Sequence, residues 1–330
     1  MTARIINADV MDGLRQLPDE SVHCVVTSPP YWGLRDYGVD GQIGLEATPD
    51  LFVARMVEVF REVRRVLRRD GTCWLNLGDS YNNRTRVRSS SHQPGLNGVV
   101  DGSWADRAAG GGVRMSHGMD GLKEKDLVGM PWRVAFALQA DGWWLRSDIV
   151  WAKPNPMPES VTDRPTKAHE YVFLLTKSER YHYDHEAIKE AQSESGIERA
   201  KYARIGHAKD VYGDGITNLR NHNTDSKSRE LERLGLGRNK RSVWTIATHP
   251  YSDAHFATFP PELPEICIKA GCPTGGTVLD PFSGAGTTAM VADRLQRSAI
   301  GIELNPEYAA MSERRISGDR GALLDLMEAS

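Results

Sequence analysis

The residues best suited to chemistry form a tetrapeptide that directly follows an apolar run of the chain. They are Ser28, Pro29, Pro30 and Tyr31, here called the catalytic tetrapeptide. An exocyclic amine on a flat nitrogenous ring is a poor nucleophile, because its lone pair is delocalised into the ring. The Ser28 hydroxyl and the Pro29 carbonyl could accept its two N–H groups and so free the lone pair. Because the prolines fix φ, these acceptors would be preorganised.

The tetrapeptide also carries a flat aromatic surface. An extruded nucleic-acid base could stack on Tyr31, with Trp32 as support. The chemistry would be direct in-line transfer, which depends on positioning and needs neither a metal nor a covalent nucleophile. Taken alone, the four residues fit a proline-rich turn after a strand equally well, so a second signature must decide.

A glycine-rich loop lies near the opposite end of the chain. It consists of Asp280, Pro281, Phe282, Ser283, Gly284, Ala285 and Gly286, and a predicted helix follows from Thr287 and Thr288. Glycines let the backbone approach a ligand closely, and the first turn of a helix offers free N–H groups. Glu303 ends the next predicted strand, about 20 residues after Asp280, where an acid can bond ribose hydroxyls. The loop therefore predicts a nucleotide-type cofactor.

Two kinds of cofactor fit such a loop. Gly284, Gly286 and Ala289 satisfy the G-x-G-x-x-A pattern of dinucleotide enzymes, but that pattern alone has weak specificity. A dinucleotide needs a helix N-terminus that is free to meet pyrophosphate. The charge of Asp280 would repel pyrophosphate and attract the cationic methionine part of S-adenosylmethionine. We therefore expect this methyl donor, with an NAD-linked oxidoreductase and a purely structural turn as the alternatives.

Strands and helices that alternate along the chain must position these two signatures. Short buried strands are predicted at 5–6, 22–26, 72–77, 144–151, 171–176, 277–279 and 299–302. Thr48 and Pro49 predict a helix start. Helices are predicted at 49–67, 128–140, 287–295 and 305–316. We expect Asp70 and Gly71 to stop the first of these helices. The alternation predicts an α/β fold.

Two long polar segments interrupt this pattern. Residues 80–127 are rich in Gly, Ser, Asn and Arg, which predicts a functional or a disordered loop that could contact DNA. Residues 184–242 mix both charges with little periodicity, which fits a solvated insertion or a small module that touches DNA. The proline-rich stretch 153–165 is predicted to be extended. The chain would then comprise a catalytic half at 1–183, the insertion at 184–242 and a cofactor-binding half at 243–330.

Together, the two signatures resemble the beta group of DNA amino-methyltransferases, in which the catalytic tetrapeptide precedes the cofactor loop and a target-recognition region lies between them. The resemblance covers most of the chain. It implies a seven-stranded, mostly parallel, Rossmann-like methyltransferase sheet that is circularly permuted and carries DNA-recognition insertions. The segment from Ile5 to Asp9 would supply the strand beside that of Glu303. Both signatures would then lie at the carboxyl ends of neighbouring strands.

The resemblance also implies roles for single residues. The segment from Thr27 to Tyr31 matches the catalytic motif, and that from Asn7 to Asp9 matches a segment near the cofactor adenine. The segment from His255 to Pro260 matches one that closes over the methionine end of the cofactor. The implied cofactor-binding residues are Asp9, Thr27, Phe259, Asp280, Phe282, Ser283, Gly284, Gly286, Thr287, Thr288, Glu303 and Asn305. The stretch from Lys153 to Glu170 resembles family sequence near the base pocket, with no role assigned to single residues.

The first residue of the tetrapeptide bears on the target base. Ser-Pro-Pro-Tyr resembles cytosine-N4 enzymes, whereas adenine-N6 enzymes usually carry Asp where Ser28 stands. A hydroxyl both accepts and donates, which suits the cytosine amine and its adjacent ring nitrogen. We therefore expect a site-specific DNA methyltransferase that acts on the N4 amine of a flipped-out cytosine. Adenine N6 is the alternative, and a non-catalytic DNA-binding regulator on the same scaffold is a remoter one. Cytosine-C5 chemistry is excluded, because it needs a Pro-Cys pair and the chain has none.

The bulk composition limits the partners. The 330-residue chain is 40% hydrophobic with a net charge of −3, so DNA affinity must come from local basic clusters. Its four cysteines lack metal-ligand spacing, and no bound metal is expected. Because no apolar run has membrane length, we expect a cytoplasmic protein, associated with the nucleoid when bound to DNA. Double-stranded DNA is the expected partner. The resemblance adds a homodimer and a separately encoded restriction endonuclease as candidate assemblies.

Overall fold

The computed structural model describes residues 2–34, 38–39, 41–82, 122–191, 237–249 and 258–328, with residues 322–328 described by their backbone alone. Parts of three segments singled out in the sequence, at 83–121, 192–236 and 250–257, lie outside the described residues. The chain divides into two compact units. One consists of Met1–Tyr183 with Ser242–Ser330, and the other of Asp184–Arg241.

The larger unit alternates strands and helices, as predicted. Its strands are β1 (Ala3–Asn7), β2 (Val22–Thr27), β3 (Leu67–Leu77), β4 (Trp144–Ala152), β5 (His169–Thr176), β6 (Val243–Thr245), β7 (Thr277–Asp280) and β8 (Ser298–Glu303). Its helices are α1 (Val10–Arg15), α2 (Pro49–Val66), α3 (Met130–Ala140), α4 (Glu262–Gly271), α5 (Thr287–Arg294) and α6 (Pro306–Glu328). The short elements α1, α4 and β6 were not predicted, and α6 extends well beyond its predicted end.

One sheet joins the strands in the order β1-β8-β7-β2-β3-β5-β4-β6. Strand β5 runs antiparallel to both of its neighbours, and the other pairs are parallel. The predicted α/β fold with a mostly parallel, Rossmann-like sheet is confirmed. The sheet has eight strands where seven were expected. The additional strand is β6, a three-residue strand beside β4 at the edge of the sheet.

Strand β1 lies next to the last strand of the chain. Ala3 pairs with Ala299 and Asn7 pairs with Glu303. The side-chain amide of Asn7 donates to the carbonyl of Glu303 at 2.9 Å and to that of Leu304 at 3.1 Å. The N-terminal segment thus supplies the strand that a circularly permuted sheet needs beside β8, as predicted.

The strand order reverses direction between β7 and β2. From β7 the chain moves to β8 on one side, and from β2 it moves to β3 on the other. Because such crossovers are right-handed, α5 and α2 lie on opposite faces of the sheet. A crevice opens at such a reversal, outside the carboxyl ends of the two strands, and ligands of open α/β sheets bind there.

Helix α2 begins where the sequence predicted and ends earlier. Thr48 caps it with its side chain, and Pro49 occupies the first turn. Its buried residues include Phe52, Met56, Val59, Phe60 and Val63. The prediction that Asp70 and Gly71 stop the helix was wrong, because the backbone is already extended at Leu67 and β3 begins there. Gly71 serves packing instead, since a Cβ there would lie 2.6 Å from Leu67 Cδ1.

All four cysteines lie in the interior of the larger unit. Cys24, Cys73, Cys267 and Cys272 are buried and form no disulfide. Burial raises the pKa of the Cys272 thiol to about 11 and raises those of Cys24, Cys73 and Cys267 well above their ordinary value. They are structural thiols, as expected for Cys24 and Cys73.

The described part of the smaller unit comprises its two ends. Glu190 and Arg238 exchange two backbone hydrogen bonds, at 2.9 and 2.8 Å. The Glu190 carboxylate also pairs with Arg238 Nε at 3.2 Å and with Arg241 Nε at 3.3 Å. These contacts bring the start and the end of the unit together, as an insertion between two neighbouring points of a larger domain requires.

Candidate active site

The two signatures meet at the reversal point of the sheet. Thr27 ends β2, Asp280 ends β7, and Thr27 Oγ1 donates a hydrogen bond to Asp280 Oδ1 at 2.7 Å. The two residues are 253 positions apart in the sequence. The catalytic tetrapeptide and the glycine-rich loop therefore leave the sheet from adjacent points on one edge.

The Asp280 carboxylate is buried and satisfied within the protein. Besides the bond from Thr27, it accepts Thr288 Oγ1 at 2.8 Å and the Phe282 N–H at 3.1 Å. Burial raises the pKa of Asp280 to about 6, because these hydrogen bonds offset only part of the cost of removing the charge from water. Asp280 thus links the end of β2 to the glycine-rich loop.

The glycine-rich loop is shaped by two glycines and supported from behind by α6. Gly284 and Gly286 have φ values of +51° and +72°, which glycine adopts without strain. Ser312 Oγ donates to the Gly284 carbonyl at 2.7 Å, and Arg315 Nη1 donates to the Ala285 carbonyl at 3.1 Å. A Cβ on Gly286 would lie 2.8 Å from Ser312 Oγ, so this close approach of α6 also requires glycine.

Glu303 ends β8 beside this loop. Its carboxylate accepts the N–H of Gly284 and that of Asn305, both at 2.8 Å. Burial raises the pKa of Glu303, and the nearby charge of Asp280 raises it as well. Each carboxylate oxygen retains acceptor capacity, so the ribose hydroxyls of a nucleotide could still be bonded here.

Asp280 and Glu303 give this side of the crevice a negative charge. Over the residues that the structure describes, no Lys, Arg or His pairs with either acid. The Oγ of Ser283 is buried and, within the same residues, has no hydrogen-bond partner. A cationic ligand with hydroxyl and ammonium donors would offset the charge of the two acids and, once the Ser283 side chain turns toward it, give that hydroxyl a partner. The residues present therefore fit S-adenosylmethionine.

Of the other predicted cofactor residues, Asp9 directly precedes α1, Asn305 directly precedes α6, Phe282 lies in the loop itself and Phe259 lies shortly before α4. Asp9 and Asn305 each accept a backbone N–H of the helix that follows them, at 2.8 and 2.9 Å. Phe282 and Phe259 are both half-buried. Of the segment expected to close over the methionine end, residues 255–257 lie outside the described part of the chain.

The two threonines after the loop use their hydroxyls within the protein. Thr287 Oγ1 accepts Arg315 Nη1 at 2.8 Å, and Thr288 Oγ1 contacts the Val26 carbonyl at 3.3 Å in addition to Asp280. These contacts hold the start of α5 against β2 and α6. A direct contact of either threonine with a cofactor stays a prediction.

The catalytic tetrapeptide continues from the carboxyl end of β2. Pro29 is buried, whereas Ser28 and Tyr31 are half-buried. The Tyr31 ring packs against Gly78, where a Cβ would lie 2.6 Å from Tyr31 Cε2. Trp32 is buried, and its indole N–H donates to the Glu46 carbonyl at 2.8 Å. Gly78 therefore fixes the Tyr31 ring on one side. The buried Trp32 side chain anchors the backbone directly after it.

A polar cluster that the sequence analysis missed holds the Tyr31 hydroxyl. The phenolic O–H donates to Glu170 Oε2 at 2.6 Å, and Asn76 Nδ2 donates to the same oxygen at 3.1 Å. Lys153 Nζ pairs with Glu170 Oε1 and lies 4.3 Å from the centre of the Trp151 ring. The side chains of Lys153 and Glu170 are only 18% and 16% exposed. We call Asn76, Lys153 and Glu170 the base-side cluster.

The hairpin β4–β5 contained a signal for this cluster. Lys153 directly follows β4, Glu170 lies at the start of β5, and Trp151 pairs with Glu170 across the antiparallel ladder. Residues at the end of one strand and at the start of its antiparallel partner lie at the same edge of the sheet. Opposite charges that flank two apolar strands in this way predict an ion pair at that edge.

The described residues show neither a metal-binding cluster nor a membrane-spanning helix. They contain no group of three or more His, Cys, Asp and Glu side chains that could hold a metal ion. No helix among them is long and apolar enough to cross a membrane.

Comparison with known proteins identifies the family. A family model of N6 and N4 enzymes, described as DNA methylase, matches residues 22–314. The chain belongs to this DNA methylase family. Type II methyltransferase M.Cfr9I of Citrobacter freundii is 44% identical to this DNA methylase over 317 residues, which cover 96% of the chain and 88% of the relative. Type II methyltransferase M.SmaI of Serratia marcescens is 43% identical over 319 residues, or 96% of the chain and 91% of the relative. The predicted kinship with DNA amino-methyltransferases is confirmed.

Solved structures share the fold of this DNA methylase. PvuII DNA methyltransferase, described as cytosine-N4-specific, matches with a TM-score of 0.59 at 19% identity over 98% of this chain and 93% of that one. A Thermus thermophilus protein, described as a candidate DNA modification methylase and solved with S-adenosyl-L-methionine, matches with a TM-score of 0.55 at 22% identity over 96% of each chain. At these identities the similarity concerns the fold.

Proposed function

We propose that this DNA methylase transfers a methyl group from S-adenosylmethionine to the N4 amine of a cytosine that is flipped out of duplex DNA. The observation that carries the proposal is the hydrogen bond between Thr27 and Asp280, which joins a negatively charged cofactor crevice to the catalytic tetrapeptide. The family acts on N6 or N4 amines of DNA bases, so the choice of cytosine is the finer part of the proposal.

Charge supports the choice of donor. Asp280 and Glu303 have no cationic partner within the described residues, which disfavours the pyrophosphate of NAD and favours a sulfonium. When bound, S-adenosylmethionine supplies an electrophilic methyl group next to that sulfonium. The Thermus thermophilus protein of the same fold was solved with this molecule.

The residues of the chain then prepare the acceptor amine. The Ser28 hydroxyl and the Pro29 carbonyl accept its N–H groups, which draws the nitrogen toward tetrahedral geometry and frees its lone pair. Tyr31 offers an aromatic surface for the extruded base, and its ring is fixed by Gly78 and by Glu170. Transfer then depends on positioning and on these preorganised acceptors.

The choice of cytosine depends mainly on Ser28. A serine at the head of the tetrapeptide is typical of cytosine-N4 enzymes, and PvuII DNA methyltransferase, which shares the fold, is described as cytosine-N4-specific. Adenine N6 is the second candidate, because the family includes enzymes of both kinds.

Contact with DNA is assigned to the two polar segments. We propose that residues 184–242 form the target-recognition region and that residues 80–127 help to grip the duplex, while 1–183 and 243–330 form the catalytic and cofactor-binding halves. Affinity should fall with salt, because Lys and Arg release counterions from the phosphates. M.Cfr9I and M.SmaI are named Type II methyltransferases, so a separately encoded cognate endonuclease is part of the proposal, as is a homodimer.

Sequencing of modified bases in DNA from cells that produce the protein tests this function. We expect N4-methylcytosine at one short sequence, and none in cells that produce the Ser28→Ala variant. Adenine methylation at a specific sequence would overturn the base assignment. Unmodified DNA, together with tight DNA binding by the protein, would favour the non-catalytic regulator.

A further inference from the structure

We propose that Glu170 is a positioning residue that sets the direction of a hydrogen-bond chain through Tyr31 to Ser28. In this chain the Ser28 hydroxyl donates a hydrogen bond to the Tyr31 oxygen. Ser28 therefore meets the target amine only as an acceptor. The inference rests on the proposed function, because it assigns a task to the same tetrapeptide.

The position of Glu170 is fixed from several directions. One carboxylate oxygen pairs with Lys153, whose ammonium also lies over the Trp151 ring. The other oxygen accepts the Tyr31 hydroxyl at 2.6 Å and the Asn76 amide at 3.1 Å. Asn76 itself is held in orientation, because it also donates to the Tyr171 carbonyl at 3.1 Å. A carboxylate paired with an ammonium can only accept hydrogen bonds.

The number of protons fixes the direction of the chain. A phenol has one proton, and the contact of the Tyr31 hydroxyl with Glu170 at 2.6 Å is much shorter than its contact with Asn76 Oδ1 at 3.3 Å. The proton therefore points to Glu170, and the phenolic oxygen is left to accept. Ser28 Oγ lies 3.4 Å from that oxygen and can place its only proton there. This contact is long, as catalytic hydrogen bonds often are before a substrate binds.

The consequence concerns the target amine. An amine that is about to be methylated offers two N–H donors, and a serine that points its own proton at it would repel one of them. With its proton directed to Tyr31, Ser28 presents lone pairs alone. This replaces the expectation from the sequence that the same hydroxyl also donates to the adjacent ring nitrogen. A serine in this state does what an aspartate does at the same point in adenine-N6 enzymes, namely accept, while remaining uncharged.

The substitution Glu170→Gln tests the direction and keeps the shape of the side chain. Lys153 can only donate, so it would retain the amide oxygen and turn the amide NH₂ toward Tyr31. The phenolic oxygen would then accept a hydrogen bond from residue 170, in competition with the one from Ser28, and would donate its own to Ser28 or to Asn76 Oδ1. We expect the single-turnover rate of methyl transfer to fall about tenfold or more, the effect of one charge-assisted hydrogen bond. The KM for DNA and the affinity for S-adenosylmethionine by calorimetry should change little.

A double-mutant cycle separates positioning from simple support of the hairpin. Tyr31→Phe removes the hydroxyl that links the two residues, so Glu170→Gln should add almost nothing in the Tyr31→Phe background. The control is Glu62→Gln on α2, which removes an ion pair with Arg65 at 2.9 Å and lies outside the tetrapeptide, the glycine-rich loop and the β4–β5 hairpin. Its transfer rate should equal that of the unchanged protein.

Three results would overturn the proposal. They are additive effects of the two substitutions, an equal loss of rate in Glu62→Gln, and a change in KM alone. If Glu170→Gln does not fold, as judged by circular dichroism, Tyr31→Phe must still lower the rate with KM unchanged, and a full rate would refute the chain. The base that receives the methyl group is identified separately by mass spectrometry of nucleosides. An adenine product would therefore refute the proposed function while the coupling of Tyr31 and Glu170 is still measured.

Discussion

Two carboxylates at the same edge of the sheet are held in opposite ways. On the cofactor side, Asp280 accepts two threonine hydroxyls and a backbone N–H, and within the described residues it has no cationic partner. On the base side, Glu170 pairs directly with Lys153. A buried charge without a counter-ion is costly, and such costs are concentrated where a ligand supplies what is missing. This difference agrees with the proposal that one side binds a cationic cofactor and the other a neutral base.

The largest expected effect lies on the base side. Ser28→Ala removes the proposed acceptor and should lower the single-turnover rate of methyl transfer about 10²–10³-fold, as the loss of one preorganised hydrogen-bonding group does. Binding of S-adenosylmethionine, measured by calorimetry, should stay unchanged. The matched control is Ser21→Ala just before β2, where the hydroxyl only bonds the Pro18 carbonyl at 2.7 Å. An undiminished rate in Ser28→Ala would remove serine from the mechanism.

The pH dependence of the free energy of unfolding, measured without ligand, should reveal the cost of burying the Asp280 charge. Its pKa is raised from 3.8 to about 6 in the folded state, so the folded protein binds the proton more tightly than the unfolded chain. The free energy of unfolding should therefore fall as pH rises from about 4 to about 6, by about 3 kcal/mol for a shift of about two units. Asp280→Asn should lack this part of the pH dependence.

Urea unfolding of both proteins at several pH values measures the effect. Glu303 also has a raised pKa, in part through the charge of Asp280, so the difference between the two proteins reports Asp280 together with a smaller change at Glu303. Asparagine can keep the local bonds, since Thr288 can turn its proton to the Val26 carbonyl at 3.3 Å. If the free energies of unfolding of the two proteins change in parallel with pH, burial of the Asp280 charge does not destabilise the folded protein.

Ligand affinity distinguishes the two carboxylates more directly. Asp280→Asn should weaken S-adenosylmethionine about tenfold and S-adenosylhomocysteine, which lacks the sulfonium charge, by less. Lys153→Met, which removes charge on the base side, should leave both affinities unchanged in calorimetry. If Asp280→Asn weakens both ligands equally, the carboxylate acts only as an anchor for the loop.

The smallest effect is expected at Ser283. Its buried hydroxyl has no partner over the described residues, so Ser283→Ala should leave the stability of the free protein unchanged or raise it by about 1 kcal/mol. Affinity for S-adenosylmethionine should fall a few-fold, because the ligand loses one hydrogen bond. Thermal unfolding with and without ligand measures both. A loss of stability without ligand would mean that the hydroxyl is already bonded in the free protein.

The sequence predicted the parts of the fold and site that depend on local pattern. The strand-helix alternation, the Thr48 cap and the Gly-rich turn before Thr287 each follow from the types of a few neighbouring residues. These local features require no knowledge of distant contacts. The permuted sheet was implied instead by the resemblance to the amino-methyltransferase family, in which the segment from Ile5 to Asp9 would supply the strand beside that of Glu303.

The features that the sequence did not predict depend on which strands lie next to each other in the sheet. The bond from Thr27 to Asp280 and the engagement of Thr288 arise only when β2 lies beside β7, so the satisfied state of the acid could not be predicted. The link from Tyr31 to Glu170 needs β5 to pair with β3, where Leu77 meets Tyr171. The premature end of α2 has the same origin, since Leu67 is drawn into the sheet opposite Val22.

Transfer of a labelled methyl group from S-adenosylmethionine to duplex DNA by the purified protein tests the central claim most directly. The DNA is then hydrolysed, and its nucleosides are separated and identified by mass spectrometry. The label should appear in N4-methylcytosine with the unchanged protein and be almost absent with Ser28→Ala. Label in N6-methyladenine would contradict the assignment of the base, and unlabelled DNA from a protein that binds the donor would contradict methyl transfer itself.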